Sequence, residues 1–329
     1  MTLKKRLKTT AATLGRLSLG AVLGLGLAAA VLAPGRSLAQ AAVQAEPAAP
    51  ALRAVVPAEG AGPGLWVVTD EDSVIYLFGT VHVLRPTTAW GSARVDAAFD
   101  SASEIWFEIS NPDDQAAMMP IIQQHGMDPA RPLSSLLTAE EIAKLDEVAK
   151  IMGASAAQLD VLRPWLAALT LQMAPLAKAG YDPQSGVELI LKARAEAAGK
   201  PVKAFETIDE QVRILATMPE EVQLKMLRAS LEDFDEATAT LDRMVESWAA
   251  GDAAALDQVI VEEMKVDTPE IYEALLVRRN RNWADQIQTL LEGSGTVFIA
   301  VGAGHLVGED SVQAILESRG VEVGEAPAN

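Results

Sequence analysis

Two segments far apart in the chain share one pattern: a short apolar run, a glycine, two intervening residues and a histidine. Ser73 to His82 reads SVIYLFGTVH, and Thr296 to His305 reads TVFIAVGAGH, with Gly79 and Gly302 ahead of the histidines. The chain has three histidines, and two of them end these segments. Each apolar run has the length of a buried strand. A glycine behind a strand lets the backbone turn or approach another group closely. Each segment therefore reads as a buried strand, a tight exit and an imidazole at the strand's carboxyl edge, where open α/β sheets build their sites. The expectation is that His82 and His305 meet in one pocket.

The residues between them predict an α/β fold: a central mixed sheet, flanking helices and a largely helical middle insertion. Leu65 to Thr69 and Ser73 to Phe78 predict a hairpin turning at Asp70 to Asp72. Trp90 to Ser103 then reads as a helix and Glu104 to Ile109 as a strand, together a βαβ unit with His82 and Glu108 at neighbouring strand ends. Thr138 and Glu141 form a capping-box pattern, and Pro164 suits the first turn of a helix. Pro201 to Phe205 reads as a strand ending at Glu206, which is either a helix N-terminal acid or a second site carboxylate. Arg278, Arg279 and Arg281 make a basic cluster, read as a solvated or salt-bridged face. The alternative is that one of these arginines holds a carboxylate or an oxyanion in the site. His125, beside Gly126, reads as a helix-end or loop residue.

The ends of the chain read differently. Lys4, Lys5, Arg6 and Lys8 precede an uncharged apolar run, Leu17 to Ala33, and Ser37, Leu38 and Ala39 follow. This is the pattern of a secretory signal peptide over residues 1–39; the alternative is an N-terminal membrane anchor. Residues 40–64 read as a flexible Ala/Pro-rich linker, residues 65–323 as the folded domain and 324–329 as a frayed tail. Residues 1–39 carry six basic and no acidic residues, so their removal takes the net charge from −18 to −24. So acidic a chain is a poor partner for nucleic acid. The absence of cysteine excludes disulfides, thiolate ligands and a cysteine nucleophile. The expected location is the periplasm or the outside of the cell, with no stable membrane insertion once the leader is cleaved.

Taken in order, these motifs resemble the TraB/GumN family, which also contains the TIKI proteases. The resemblance is carried by GTVH ending at His82, WFEIS around Glu108, and GYDPQSGVE ending at Glu188. GKPVKAFETIDEQ from Gly199 to Gln211, RNRNW from Arg279 to Trp283, and VGAGHLVGEDSV from Val301 complete it. Glu188 stands where the family pattern has aspartate. The resemblance implies a compact α/β domain whose two G-x-x-H motifs and acids build a metal-dependent hydrolase site. TIKI members are membrane-tethered metalloproteases. On this reading His82, His305 and Glu108 hold a divalent cation (zinc, manganese or cobalt), with Glu108 alternatively the general base. Glu206 would relay protons, Arg279 would stabilise an oxyanion, and the substrate would be a peptide or protein. The rival reading is a non-catalytic periplasmic protein that binds haem, metal or a small ligand on the same fold.

Overall fold

The computed structural model describes residues 53–327, so the expected signal peptide and the first part of the expected linker lie outside the described residues. The strands are β1 (Val56–Pro57), β2 (Leu65–Thr69), β3 (Ser73–Thr80), β4 (Ala89–Gly91), β5 (Glu104–Ile109), β6 (Val202–Glu206), β7 (Gly295–Gly302) and β8 (Glu322–Glu325). The principal helices are α1 (Ala93–Ser101), α2 (Gln115–Gly126), α3 (Ala139–Ile151), α4 (Pro164–Lys178) and α5 (Val187–Ala197). They continue with α6 (Ile208–Ala216), α7 (Glu220–Glu232), α8 (Ala237–Ala249), α9 (Arg278–Leu291) and α10 (Val312–Ser318).

Six strands form one mixed sheet in the order β6-β5-β7-β3-β2-β8. The four from β6 to β3 run parallel, and β2 and β8 are antiparallel at one side. Alternate residues of the central strands point to opposite faces, and both faces are covered. Phe78, Phe298 and Ala300 belong to the larger core, which includes Val95 and Phe99 of α1, Leu166 and Leu169 of α4 and Trp248 of α8. Ile75, Leu77, Val297, Ile299 and Val301 face a smaller core with Trp283 and Ile287 of α9 and Leu316 of α10. The middle of the chain is helical, as its pattern predicts. Helix α3 opens on the Thr138–Glu141 capping box with both reciprocal bonds made, and α4 opens on Pro164.

Strand register sets which residues share the carboxyl edge of the sheet. β3 and β7 pair residue for residue from Ser73 opposite Gly295 to Thr80 opposite Gly302, so both chains leave the sheet side by side. Phe107 of β5 lies opposite Ala300 on the other side of β7, which brings Glu108 to the same edge. Here the sequence reading is corrected, because β3 and β5 are not neighbours: β7 is inserted between them. A strand pairing closed across the whole chain length is invisible to local pattern.

Three further differences concern boundaries. Trp90 belongs to the short strand β4, and the helix starts at Ala93. From Arg53 onward the expected linker is mostly exposed but tied to the domain: β1 pairs with β4, and the Arg53 guanidinium binds Asp182 at 2.9 Å and the Ser185 hydroxyl at 2.7 Å. Its small residues suit a linker, but the partners of Arg53 that order it lie more than a hundred residues away. The expected tail is ordered through β8, and Ala326 is buried with its N–H on the Leu65 carbonyl. No helix among the described residues is long and apolar enough to cross a membrane.

Candidate functional site

His82 leaves the sheet two residues beyond β3, and its position is set by a backbone contact that only glycine permits. A Cβ at Gly186 would lie 2.3 Å from the His82 carbonyl oxygen. Without one, the loop before α5 docks on this exit, and the Val187 N–H reaches the Val81 carbonyl at 3.1 Å. That docking puts Glu188, in the first turn of α5, beside the imidazole. His82 Nδ1 lies 2.6 Å from Glu188 Oε1, which also accepts the Thr80 hydroxyl. Nδ1 is thereby committed, and Nε2 points inward, buried and without a hydrogen-bond partner among the described residues.

His305 sits on a short 3-10 turn, Ala303–Leu306, directly behind β7. Its Nδ1 is 2.6 Å from Asn280 Oδ1, and Asn280 in turn donates to the Asp310 carbonyl at 2.7 Å. An amide oxygen only accepts, so the proton is on Nδ1 and Nε2 carries the lone pair. That lone pair accepts from Arg279 Nη1 at 3.0 Å. The ring packs on Trp283 with centroids 4.3 Å apart. Burial, and then the neighbouring guanidinium, pull the His305 pKa down to about 3, so the ring is neutral. Burial also disfavours charge on His82, but Glu188 and Glu108 outweigh it and raise its pKa to about 9.

Glu108 lies between the two rings. Its Oε1 is 4.0 Å from His82 Nε2 and 3.8 Å from His305 Nε2, and it accepts the Gly302 N–H at 2.8 Å. Its Oε2 accepts from Gln211 Nε2 at 2.9 Å and from Arg279 Nη2 at 2.5 Å. Burial alone would push this carboxyl up; Arg279, the imidazoles and the Gly302 N–H overcome it and hold Glu108 well below the usual carboxylate range. Gly302 has no side chain just where these groups meet. A Cβ there would stand 3.1 Å from Glu108 Oε1, 3.3 Å from His82 Nε2 and 3.6 Å from His305 Cδ2.

Arg279 organises the other side. Of the arginine cluster on α9, Arg278 and Arg281 are exposed, whereas Arg279 is buried. Its Nε donates to Glu206 at 2.9 Å, its Nη2 to Glu206 at 2.9 Å and to Glu108, and its Nη1 to the Leu275 carbonyl at 3.1 Å and to His305. All five guanidinium N–H donors are thus taken by protein acceptors. In this arrangement Arg279 holds the two carboxylates and His305, with every donor engaged. Glu206 also accepts the Trp283 indole N–H at 3.1 Å; burial, set against Arg279, raises its pKa. His125 stands apart, at the end of α2, with its Nε2 3.2 Å from Asp209.

Five residues named from the sequence, His82, Glu108, Glu206, Arg279 and His305, are thus brought into one cluster. Sequence reasoning missed the residues that aim them. Thr80, Glu188, Gln211 and Asn280 all lie inside the motifs that carry the family resemblance, but nothing in those motifs assigned them a role.

Does the cluster suit a divalent metal? The donor chemistry does: a buried imidazole nitrogen of His82 that is unpartnered and would give up its proton on binding, a second imidazole anchored through Nδ1, an ionised carboxylate, and a glycine where a side chain would intrude. Anchoring each ligating histidine through its other nitrogen is the usual support of a metal site. The spacing is wider than a closed ligand shell, and among the described residues no three His, Asp or Glu side chains form a ready-made metal-binding group. What stands against His305 Nε2 and Glu108 is the Arg279 guanidinium.

The model of the TraB/PrgY/gumN family matches residues 64–325. An uncharacterized protein of Treponema pallidum is 26% identical over 273 residues, covering 77% of this chain and 80% of its own length. The uncharacterized protein YbaP of Escherichia coli is 23% identical over 243 residues, 73% of this chain and 87% of its own. No solved structure matches.

Proposed function

Because the chain belongs to the TraB/PrgY/gumN family, we propose that it is an exported metal-dependent hydrolase acting on peptide bonds. A divalent cation such as zinc, manganese or cobalt would be held by His82 Nε2, His305 Nε2 and the Glu108 carboxylate. One observation carries this reading: each imidazole is tied through Nδ1, and each turns Nε2 toward the same Glu108 oxygen, at 4.0 Å and 3.8 Å. When bound, such an ion supplies an acidified water and polarises a carbonyl.

The chain's own residues have these parts. Glu188 and Asn280 orient the two rings and fix which nitrogen faces inward. Glu108 stays ionised and accepts the Gly302 N–H, which keeps its carboxylate between the rings. Glu206 neutralises Arg279 together with Glu108, a support role in place of proton relay. His82 is the more accessible of the two histidines, its side chain 9% exposed against 1% for His305.

A second reading, a non-catalytic periplasmic protein binding metal, haem or a small ligand, is favoured by burial: the side chains of His305 and Glu108 are only 1% and 5% exposed. Elemental analysis of the mature protein after incubation with zinc or manganese tests the centre. About one equivalent is expected, lost in both His82→Ala and His305→Ala. Unchanged content in both variants, or none in the parent, would sink the proposal. Cleavage of a quenched peptide library, stopped by a chelator and restored by metal, separates the enzyme from the binding protein. Metal uptake without turnover, or a Soret band on the purified protein, would favour the latter.

A further inference from the structure

Arg279 touches the proposed ligands at the atoms a metal would use. Its Nη1 is 3.0 Å from His305 Nε2 and its Nη2 is 2.5 Å from Glu108 Oε2, while His82 Nε2 has no partner among the described residues. The two buried glutamates Glu108 and Glu206 need a counter-cation, since a buried carboxylate without one is strongly disfavoured. In this arrangement the guanidinium supplies it.

We propose that Arg279 is a built-in cation competing with the divalent metal for the acidic cradle of Glu108 and His305, so that metal entry requires Arg279 to leave His305. This rests on the metal-dependent reading of the centre. The backbone around Arg279 suits a displaceable group. α9 is entered through a π-helical stretch, Glu273–Val277, and the Leu275 carbonyl in that stretch accepts one Arg279 N–H. π-Helical turns are rare and recur at functional sites. Glu206, bound by Nε and Nη2, retains the guanidinium when the His305 bond breaks. Trp283 reports on the event, because the guanidinium lies 4.6 Å from its ring centroid and His305 packs on the same ring.

The experiment is titration of the metal-free mature protein with zinc or manganese, read by calorimetry and by tryptophan fluorescence, for the parent, Arg279→Met, Arg279→Lys and Trp283→Phe. The expected result is binding to Arg279→Met tighter than to the parent by roughly tenfold or more. Arg279→Lys, which keeps the charge but not the fork, should lie between them. The parent's fluorescence should change with metal, and Trp283→Phe should lose that change. Equal affinity in parent and Arg279→Met, or loss of binding in a folded Arg279→Met, overturns the competition and leaves the metal reading standing. Saturation of the parent with no Trp283-dependent signal overturns it too. If Arg279→Met fails to fold, the lysine variant and the fluorescence decide. Absence of binding in the parent and every variant removes the metal reading itself, and the competition with it.

Discussion

Gly302 is the residue on which the centre turns. Its backbone has φ −51° and ψ 135°, values open to any L-residue, so the glycine is required by space. Gly302→Ala would put a methyl among Glu108 Oε1, His82 Nε2 and His305 Cδ2 at 3.1 to 3.6 Å. The expected outcome is a folded protein, its Tm lowered by a few degrees, that takes up metal at least about tenfold more weakly than the parent. Calorimetry and a melting curve check it; parent-like metal uptake would show that the centre lies elsewhere. The same residues show what pattern can reveal. His82, His305 and Glu108 were legible because each lies at the end of a buried apolar run. Arg279 was not separable from Arg278 and Arg281, since a helix turns about 100° per residue and only the packing partner decides which of three neighbours is buried.

Between elements, α8 is bolted to the sheet at the point where β3 ends. The Trp248 indole N–H donates to the Gly79 carbonyl at 2.7 Å, and the ring packs against Trp90. This buried bond ties the helix to the strand exit. Trp248→Phe keeps most of the apolar contact and removes the donor. It is expected to destabilise the protein by about 1–3 kcal/mol, measured as a fall in the denaturant midpoint at unchanged m-value. No change in midpoint would mean that the Gly79 carbonyl is satisfied in another way. Helices α3 and α4 were readable because their start signals are local, a capping box and a first-turn proline. The position of β7 between β3 and β5 was not, because strand order depends on pairing between segments far apart in the chain.

The folded protein carries two imidazoles shifted in opposite directions, and the sign of each follows from linkage. His82 has its pKa raised from 6.5 to about 9, so the stability it contributes is complete below about pH 6.5 and is lost as the pH rises toward 9. His305 has its pKa lowered from 6.5 to about 3, so the unfolded chain takes up its proton first and stability falls as the pH drops from 6.5 toward 3. At about 1.4 kcal/mol per unit, each side amounts to a few kcal/mol at most. The contribution of the two imidazoles to the stability of metal-free protein is therefore greatest near pH 6.5, and replacing both by Gln is expected to flatten the fall of Tm on either side of it. Melting curves of parent and variant from about pH 4 to 9 check this; a variant whose Tm falls as steeply toward the alkaline end would contradict the pairing of His82 with Glu188. High salt should leave this contribution in place, because buried charges are screened little.

Apolar run, glycine and histidine are local features, and so are caps, turns and charge. They were enough to mark the strands that carry the centre, the helical middle and the family, since each depends on neighbours within a few residues. Which strand lies beside which, which face of α9 enters the core, and what holds the Nδ1 of each ring depend on residues tens to hundreds of positions away. The Glu188 contact exists because Gly186 lets one loop lie on another, and the Arg279 contacts exist because α9 packs its Trp283 face on the sheet. Those relations are free energies of packing between distant segments, so they became readable only once the chain was folded.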